Sequence, residues 1–294
     1  MFFCNTLIGN NYNKVKSGII HDQPLDYPFT DAIFYNNSFW GLYTGNRGNR
    51  LFASSDGITY SPQIVGTISG RYGCLCPDRT DGGVMCTFVT DETNGRIVCS
   101  NGYITRYIND YVKVKQCIFV NGQYYLIGYL NGPAGGRIYI GSDLSNWQDP
   151  IQLPTNYITG IAYGNGIFVV CGNNQVFVSY DGLNYTNYVA PIECVKVIFA
   201  DGYFIGVGYG GVIRSRNGID WEQIYTENVS LYAVGYGNKK LVVAGDKILT
   251  SINFKDFKTV ATNISNYKDT VTYGNNRFNV TAEDTLYYFD WRIE

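Results

Sequence analysis

The sequence predicts an all-β chain folded as a single seven-bladed β-propeller of four-stranded antiparallel blades. Three observations carry that expectation. A hairpin signature returns about every 40 residues, as Tyr163-Gly164-Asn165-Gly166, Asp201-Gly202, Gly237-Asn238 and Gly274-Asn275, each between two apolar runs. A second turn motif, Ser-x-Asp/Asn-Gly-x-x-aromatic, recurs between those hairpins. The composition, with 27 Tyr, 34 Gly and only 16% charged residues, supplies aromatics for sheet faces and glycines for turns. One blade cannot bury both of its faces alone, so the repeats of this 294-residue chain are expected to form one closed array.

Taken in chain order, the copies are 32–64, 72–108, 116–151, 158–191, 195–224, 233–260 and 271–291, within blades at approximately 30–64, 65–112, 113–154, 155–191, 192–226, 227–262 and 263–294. The fourth copy is the clearest template. Residues 159–163 form an inner strand, Gly164-Asn165-Gly166 turns, and 167–171 returns as a mostly apolar second strand. Asn-Gly suits the tight hairpin because both residues tolerate positive φ. Gly172-Asn173-Asn174 leads to a third strand at 175–180, and Asp181-Gly182 turns it toward a wetter fourth strand ending near Val189. Such a gradient fits inner strands covered by neighbouring blades and an outer edge in solvent. The last copy supplies only three strands, so residues 1–20, through 2–8 or 12–20, are expected to complete it and close the ring.

The turn between third and fourth strands keeps its full motif in three copies: Ser54-Ser55-Asp56-Gly57 with Tyr60, Ser179-Tyr180-Asp181-Gly182 with Tyr185, and Ser215-Arg216-Asn217-Gly218 with Trp221. Ser251-Ile252-Asn253-Phe254 with Phe257 lacks the glycine, and Gly141-Ser142-Asp143-Leu144 with Trp147 lacks both Ser and Gly. In Cys99-Ser100-Asn101-Gly102 the aromatic is replaced by Thr105. Physically, the Asp or Asn side chain closes the turn onto backbone N–H groups, Gly takes the positive φ, and the aromatic covers the blade beneath. Asp56, Asp143, Asp181, Asn217 and Asn253 are therefore read as structural.

These turns resemble the Asp-box turn of sialidase-like propellers, where it recurs blade by blade. The resemblance raises the possibility of a carbohydrate-active enzyme, since sialidases use an arginine cluster on a carboxylate, a Tyr nucleophile assisted by Glu, and an Asp acid or base. Their Arg-Ile-Pro element is missing: Arg96-Ile97-Val98, Arg137-Ile138-Tyr139 and Arg292-Ile293-Glu294 all depart from it. No catalytic residue carries over. The Asn, Tyr and Gly richness, with low charge, also resembles bacteriophage tail or baseplate proteins.

Bulk chemistry narrows the partners. A formal net charge of -2 and the absence of any Lys or Arg run argue against nucleic acid. Residues 1–10 lack a basic leader and a small-residue cleavage site, and no apolar run is long enough to span a bilayer, so neither a cleaved signal nor membrane insertion is expected. Eight cysteines (Cys4, Cys74, Cys76, Cys86, Cys99, Cys117, Cys171, Cys194) sit irregularly in apolar runs and read as reduced core thiols, with Cys86 a candidate to face Cys74 and Cys76 across a hairpin. Their spacing and the single histidine, His21, fit no metal site, and no cofactor is expected. His21 reads as an exposed linker residue before Pro24 and Pro28.

Hairpins and Ser-x-Asp/Asn turns should share one face of the disc, leaving the second-to-third-strand loops and interblade links on the opposite, ligand-binding face. The first three of these loops are long (44–50, 90–96, 130–137) and the later ones short (172–174, 208–211, 245–246). The long loops carry Arg47, Arg50, Arg96 and Arg137, with Arg71 and Tyr72 on a nearby link. Together these would hold a carboxylated or phosphorylated glycan or an acidic protein surface; the alternative is solvated side chains with unrelated directions. The pairs Asp91-Glu92 and Glu283-Asp284 are candidate acid and base, or simply hydrated neighbours. The sequence thus points to a non-enzymatic recognition or assembly module for a protein partner or a cell-surface glycan, virion-associated if of phage origin and otherwise cytoplasmic. The alternatives are a carbohydrate-active enzyme and a cellular interaction scaffold.

Overall fold

The structure is a computed structural model that describes residues 21–45, 48–63, 71–77, 84–89, 96–100, 105–109, 112–130, 135–143, 145–262, 264, 270–282 and 285–290. For 71–72, 85–89, 96–100 and 105–109 it describes backbone only. Strand β1 (His21–Pro24) precedes a first sheet of β2 (Asp31–Tyr35), β3 (Ser38–Tyr43), β4 (Arg50–Ser54) and β5 (Ser61–Gln63). The second sheet holds β6 (Arg71–Pro77), β7 (Val84–Val89), β8 (Arg96–Ser100) and β9 (Thr105–Asn109). The third holds β10 (Lys113–Val120), β11 (Gln123–Tyr129), β12 (Gly136–Gly141) and β13 (Ile151–Leu153). The fourth holds β14 (Gly160–Gly164), β15 (Ile167–Gly172), β16 (Gln175–Ser179) and β17 (Thr186–Val189).

A six-stranded sheet follows: β18 (Glu193–Ala200), β19 (Tyr203–Ser215), β20 (Glu222–Gly237), β21 (Lys240–Gly245), β22 (Lys247–Ser251) and β23 (Lys258–Thr262). The last sheet is β24 (Thr270–Gly274), β25 (Arg277–Ala282) and β26 (Thr285–Asp290), with β1 as its fourth strand. Every strand pairing is antiparallel. The strands β2, β6, β10, β14, β18, β20 and β24 lie beside one another in that order, and β24 returns to β2. The chain is an all-β propeller.

Two differences from the sequence expectation have plain causes. Separate four-stranded sheets were expected throughout, yet the fifth and sixth copies share one sheet because β20 runs on without a break. Its first part pairs with β19 and its second, from Leu231, with β21. No proline or glycine interrupts 226–234, so nothing in the backbone forces the chain out of extended geometry there. Ring closure uses the N-terminal region as expected, but the strand that does it is β1, with His21 opposite Tyr288 and Pro24 opposite Thr285. The stretches 2–8 and 12–20 lie outside the described residues. His21 is thus a strand residue whose ring stacks on Tyr288 at 5.1 Å, rather than a linker. Pro24 is accommodated because β1 is an edge strand.

Turn chemistry follows the sequence closely. In Asn36-Asn37, Asn121-Gly122, Asn165-Gly166, Asp201-Gly202, Asn238-Lys239 and Asn275-Asn276 both central residues have positive φ, the type I′ geometry that matches strand twist. The core sits between neighbouring sheets: Ala162, Val169 and Val178 of the fourth pack with Val197, Phe204 and Ile213 of the next. Burial of each such aliphatic side chain contributes about 1.5–3 kcal/mol. Cys74, Cys76, Cys117, Cys171 and Cys194 are buried. Register pairs the Cys86 backbone with Leu75 rather than with Cys74 or Cys76, and the Cys86 side chain lies outside the described residues.

Candidate functional site

The recurrent turns have one construction. Ser54 Oγ donates to Asp56 Oδ1 (2.8 Å) and accepts from Gly57 N (2.8 Å), while Asp56 Oδ1 also accepts from Ile58 N and Thr59 N. Ser179, Asp181 and Gly182 repeat it, as do Ser215, Asn217 and Gly218. Asn253 keeps the two backbone bonds, and Phe254 stands at φ 56° where the three full copies have Gly57, Gly182 and Gly218. Asp143 closes onto Ser145 N and Asn146 N, with Gly141 where the three full copies have the motif serine. The hydrogen bonds received hold the Asp143 and Asp181 carboxyls below the usual carboxylate range. Asp56 is held down by the same bonds from Ile58, Thr59 and Ser54, which outweigh its desolvation.

A further regularity escaped the motif reading. The side chain three positions on completes an amide–carboxylate pair: Asn146 on Asp143, Asn184 on Asp181, and, reversed, Asn217 on Asp220 and Asn253 on Asp256, all at 2.7–2.8 Å. The signal was present in the sequence as an exchange of Asp and Asn between two positions.

These turns also join the blades. A Cβ on Gly57 would lie 2.7 Å from Asn279 Nδ2, one on Gly182 2.7 Å from Tyr125 Oη, and one on Gly218 2.6 Å from Val169 Cγ2. Asn279, Tyr125 and Val169 are each the third residue of the second strand of the preceding blade. At the ring seam Asn279 Nδ2 also donates to Gly57 O (2.6 Å) and Tyr60 Oη (3.0 Å), and Asn275 Nδ2 reaches Ser55 O. Hairpins and turns therefore occupy one face.

The opposite face carries a cleft of about 420 Å³ lined by Asn174, 191–193, Tyr209-Gly210, Gln223 and 226–228. It is built from two second-to-third-strand turns and two interblade links, the elements assigned to this face from sequence. Gly210 (φ 98°) and Gly211 (φ 136°) bend the chain inside β19, and a Cβ on Gly211 would collide with the Tyr225 carbonyl oxygen. The adjacent Tyr209 is 54% exposed, with its hydroxyl donating to Asn228 Oδ1. Gln223 Nε2 donates to Gly210 O (2.9 Å), and Tyr157 Oη to Glu193 Oε1 (2.7 Å). Glu227 binds Lys247 Nζ (2.5 Å) and accepts from Tyr225 Oη, which together hold its carboxyl below the usual range. Desolvation and then this carboxylate push the Tyr225 phenol up to about 12.

The arginines expected on this face are placed individually. Arg50 opens β4 opposite Tyr43, and its guanidinium lies over the Tyr27 ring at 4.5 Å. Arg137 lies in β12 opposite Gly128 and donates to Gly136 O at 3.1 Å. Tyr43 and Gly128 are each sixth in their strands, so the two arginines hold matched positions, with the second sheet between their blades. Arg71 and Tyr72 are in β6, with the register shifting at Tyr72, rather than on an interblade link; Arg96 opens β8. The ladders extend further toward this face than the polar composition of the loops suggested. Arg47, Asp91, Glu92, Glu283 and Asp284 lie outside the described residues, as do the side chains of Arg71, Tyr72 and Arg96. Among the described residues no group of three His, Cys, Asp or Glu side chains is placed to hold a metal ion, and no helix is long and apolar enough to cross a membrane.

No family model and no curated protein matches the chain. Solved structures do. The WD40 β-propeller domain of Doa1 superposes with a TM-score of 0.69 at 11% identity, over 94% of this chain and 96% of that one. A chain of the mitotic checkpoint complex gives 0.67 at 10% identity over 98% and 99%. YCF48 from Cyanidioschyzon merolae gives 0.62 at 13% identity over 92% and 98%. At such identities the likeness carries the fold alone: the chain is similar to β-propellers over nearly its whole length.

Proposed function

We propose that this protein is a non-enzymatic recognition module that engages a protein or glycan partner through the face carrying the interblade cleft. The six-stranded sheet acts as two sectors divided within β20, which makes the ring seven-bladed, and the Ser-x-Asp/Asn turns are of Asp-box type. The carrying observation is the contrast in polar satisfaction between the faces. The turn face spends its carboxylates and amides on its own backbone, whereas the cleft leaves an exposed tyrosine and several planar polar side chains available. Structural neighbours include a chain of the mitotic checkpoint complex, a protein assembly, and the scaffold is consistent with that kind of use. Glu227 is held ionised by Lys247 and Tyr225, which suits a fixed acceptor better than a general acid.

The test presents the immobilised protein to a random peptide display library and a glycan array. Ligands selected this way are expected to be lost with Tyr209→Ala or Glu193→Ala and kept with Tyr180→Asp or Ile252→Asp on the turn face. Binding that maps to the turn face overturns the assignment, and turnover of fluorogenic glycosides overturns its non-enzymatic part. A virion tail or baseplate is one setting for such a module, favoured by the weakly charged Asn- and Tyr-rich composition; adjacent tail-tube or fibre genes would support it and their absence would remove it.

A further inference from the structure

We infer that the cleft formed by the link into β18 together with β19 and β20 takes an uncharged saccharide ring stacked on Tyr209. This rests on the recognition reading above and narrows it to one ligand class. The lining is an aromatic face beside planar hydrogen-bonding groups, with Pro191 and Ile192 as its apolar side chains, so a lipophilic ligand would find little surface to bury. No Lys or Arg is among the lining residues, whereas Glu193 and Glu227 are, which disfavours carboxylated or phosphorylated ligands.

The side chains are already positioned for such a ring. The bond from Tyr209 Oη to Asn228 Oδ1 holds the phenol ring, which is 54% exposed and offers a flat apolar surface to the C–H face of a sugar. Beside it Gly210 leaves open space, since a Cβ there would meet only Ile192 Cγ2 at 3.7 Å. Internal bonds occupy Glu193 Oε1, Gln223 Nε2 and Asn228 Oδ1. Among the lining residues that leaves Glu193 Oε2 and Gln223 Oε1 as acceptors, the Asn228 and Asn174 amides as donors, and the Thr226 hydroxyl as either. Vicinal hydroxyls, each both donor and acceptor, match that alternation, whereas an ammonium group offers donors only. The cleft is shallow and open, with a volume of about 420 Å³, so a ring would lie against Tyr209 rather than be enclosed.

The experiment measures binding of the full chain to arrayed neutral and sialylated or sulfated glycans, with hits titrated calorimetrically at low and high salt. Neutral glycans are expected to bind with little salt dependence. Tyr209→Ala is expected to weaken them about tenfold and Tyr209→Phe, which keeps the ring, by no more than about threefold. Unchanged thermal midpoints in both variants exclude misfolding as the cause. Acidic glycans or lysine-rich peptides that bind in a salt-sensitive, Tyr209-dependent way would overturn the saccharide assignment and leave the cleft as a recognition site. Neutral-glycan binding indifferent to Tyr209→Ala, Glu193→Gln and Asn228→Ala would overturn the cleft itself.

Discussion

The two faces of the disc use the same residue types for opposite ends. On the turn face Asp56, Asp181 and Asn217 bond to their own backbone, and the glycine after each packs on the preceding blade. On the cleft face Glu193, Gln223, Asn228 and Tyr209 make fewer internal bonds and border open volume. A polar side chain consumed by its own loop specifies structure, and one left partly unsatisfied at a concave surface is available to a ligand. Substitutions should therefore divide by face: turn-face changes act on stability, cleft-face changes on binding.

The largest expected effect is Gly218→Val. It places a branched side chain at φ 75° with its Cβ 2.6 Å from Val169, and should cost about 3 kcal/mol or more, read as a loss of denaturation midpoint with unchanged slope. A smaller loss, or loss of binding without loss of stability, would break the division between faces.

Lys240, in the hairpin beside the turn face, sharpens it through pH. Burial pushes its ammonium from 10.5 down to about 7, so between those values the unfolded chain holds more protons and stability rises with pH. Lys240→Met should remove that rise, as followed by calorimetry across the window.

Ser179→Ala removes one bond to Asp181 and one from Gly182 N at a fully buried position, and should cost about 1–2 kcal/mol by chemical denaturation. Turn carboxylates held below their usual 3.8 contribute stability present above that value and lost as pH falls through their lowered ones. Replacing Asp56, Asp143 and Asp181 together by Asn should flatten the acid limb of stability, while a matched set of cleft substitutions leaves that limb unchanged. Smallest of all, Tyr209→Ala should change stability by less than about 0.5 kcal/mol, since the side chain is mostly in solvent. A larger loss would mean that the ring is a packing element and not a platform.

Legibility in the sequence follows the same division. The type I′ hairpins, the Ser-x-Asp/Asn turns and the wet fourth strands were readable because each depends on a few adjacent residues: Asn165-Gly166 needs only its own two positive φ angles, and Asp181 only the Leu183 and Asn184 N–H groups. The cleft was not readable, because it joins Asn174, Glu193, Tyr209 and Asn228, which no local rule connects. The arginines of the long loops were the legible feature of this face, and of these Arg50 lies over Tyr27 and Arg137 donates to a neighbouring carbonyl.

By itself the sequence determined the antiparallel strands, their turns and their closure into a propeller, since periodic apolar runs and positive-φ residues act over a few positions. Tertiary structure alone decided that β1 pairs with β26 at the ring seam, that β20 stays unbroken across two copies, and which side chains border the cleft. Those outcomes depend on contacts between distant residues, where competing pairings differ in packing and not in local propensity.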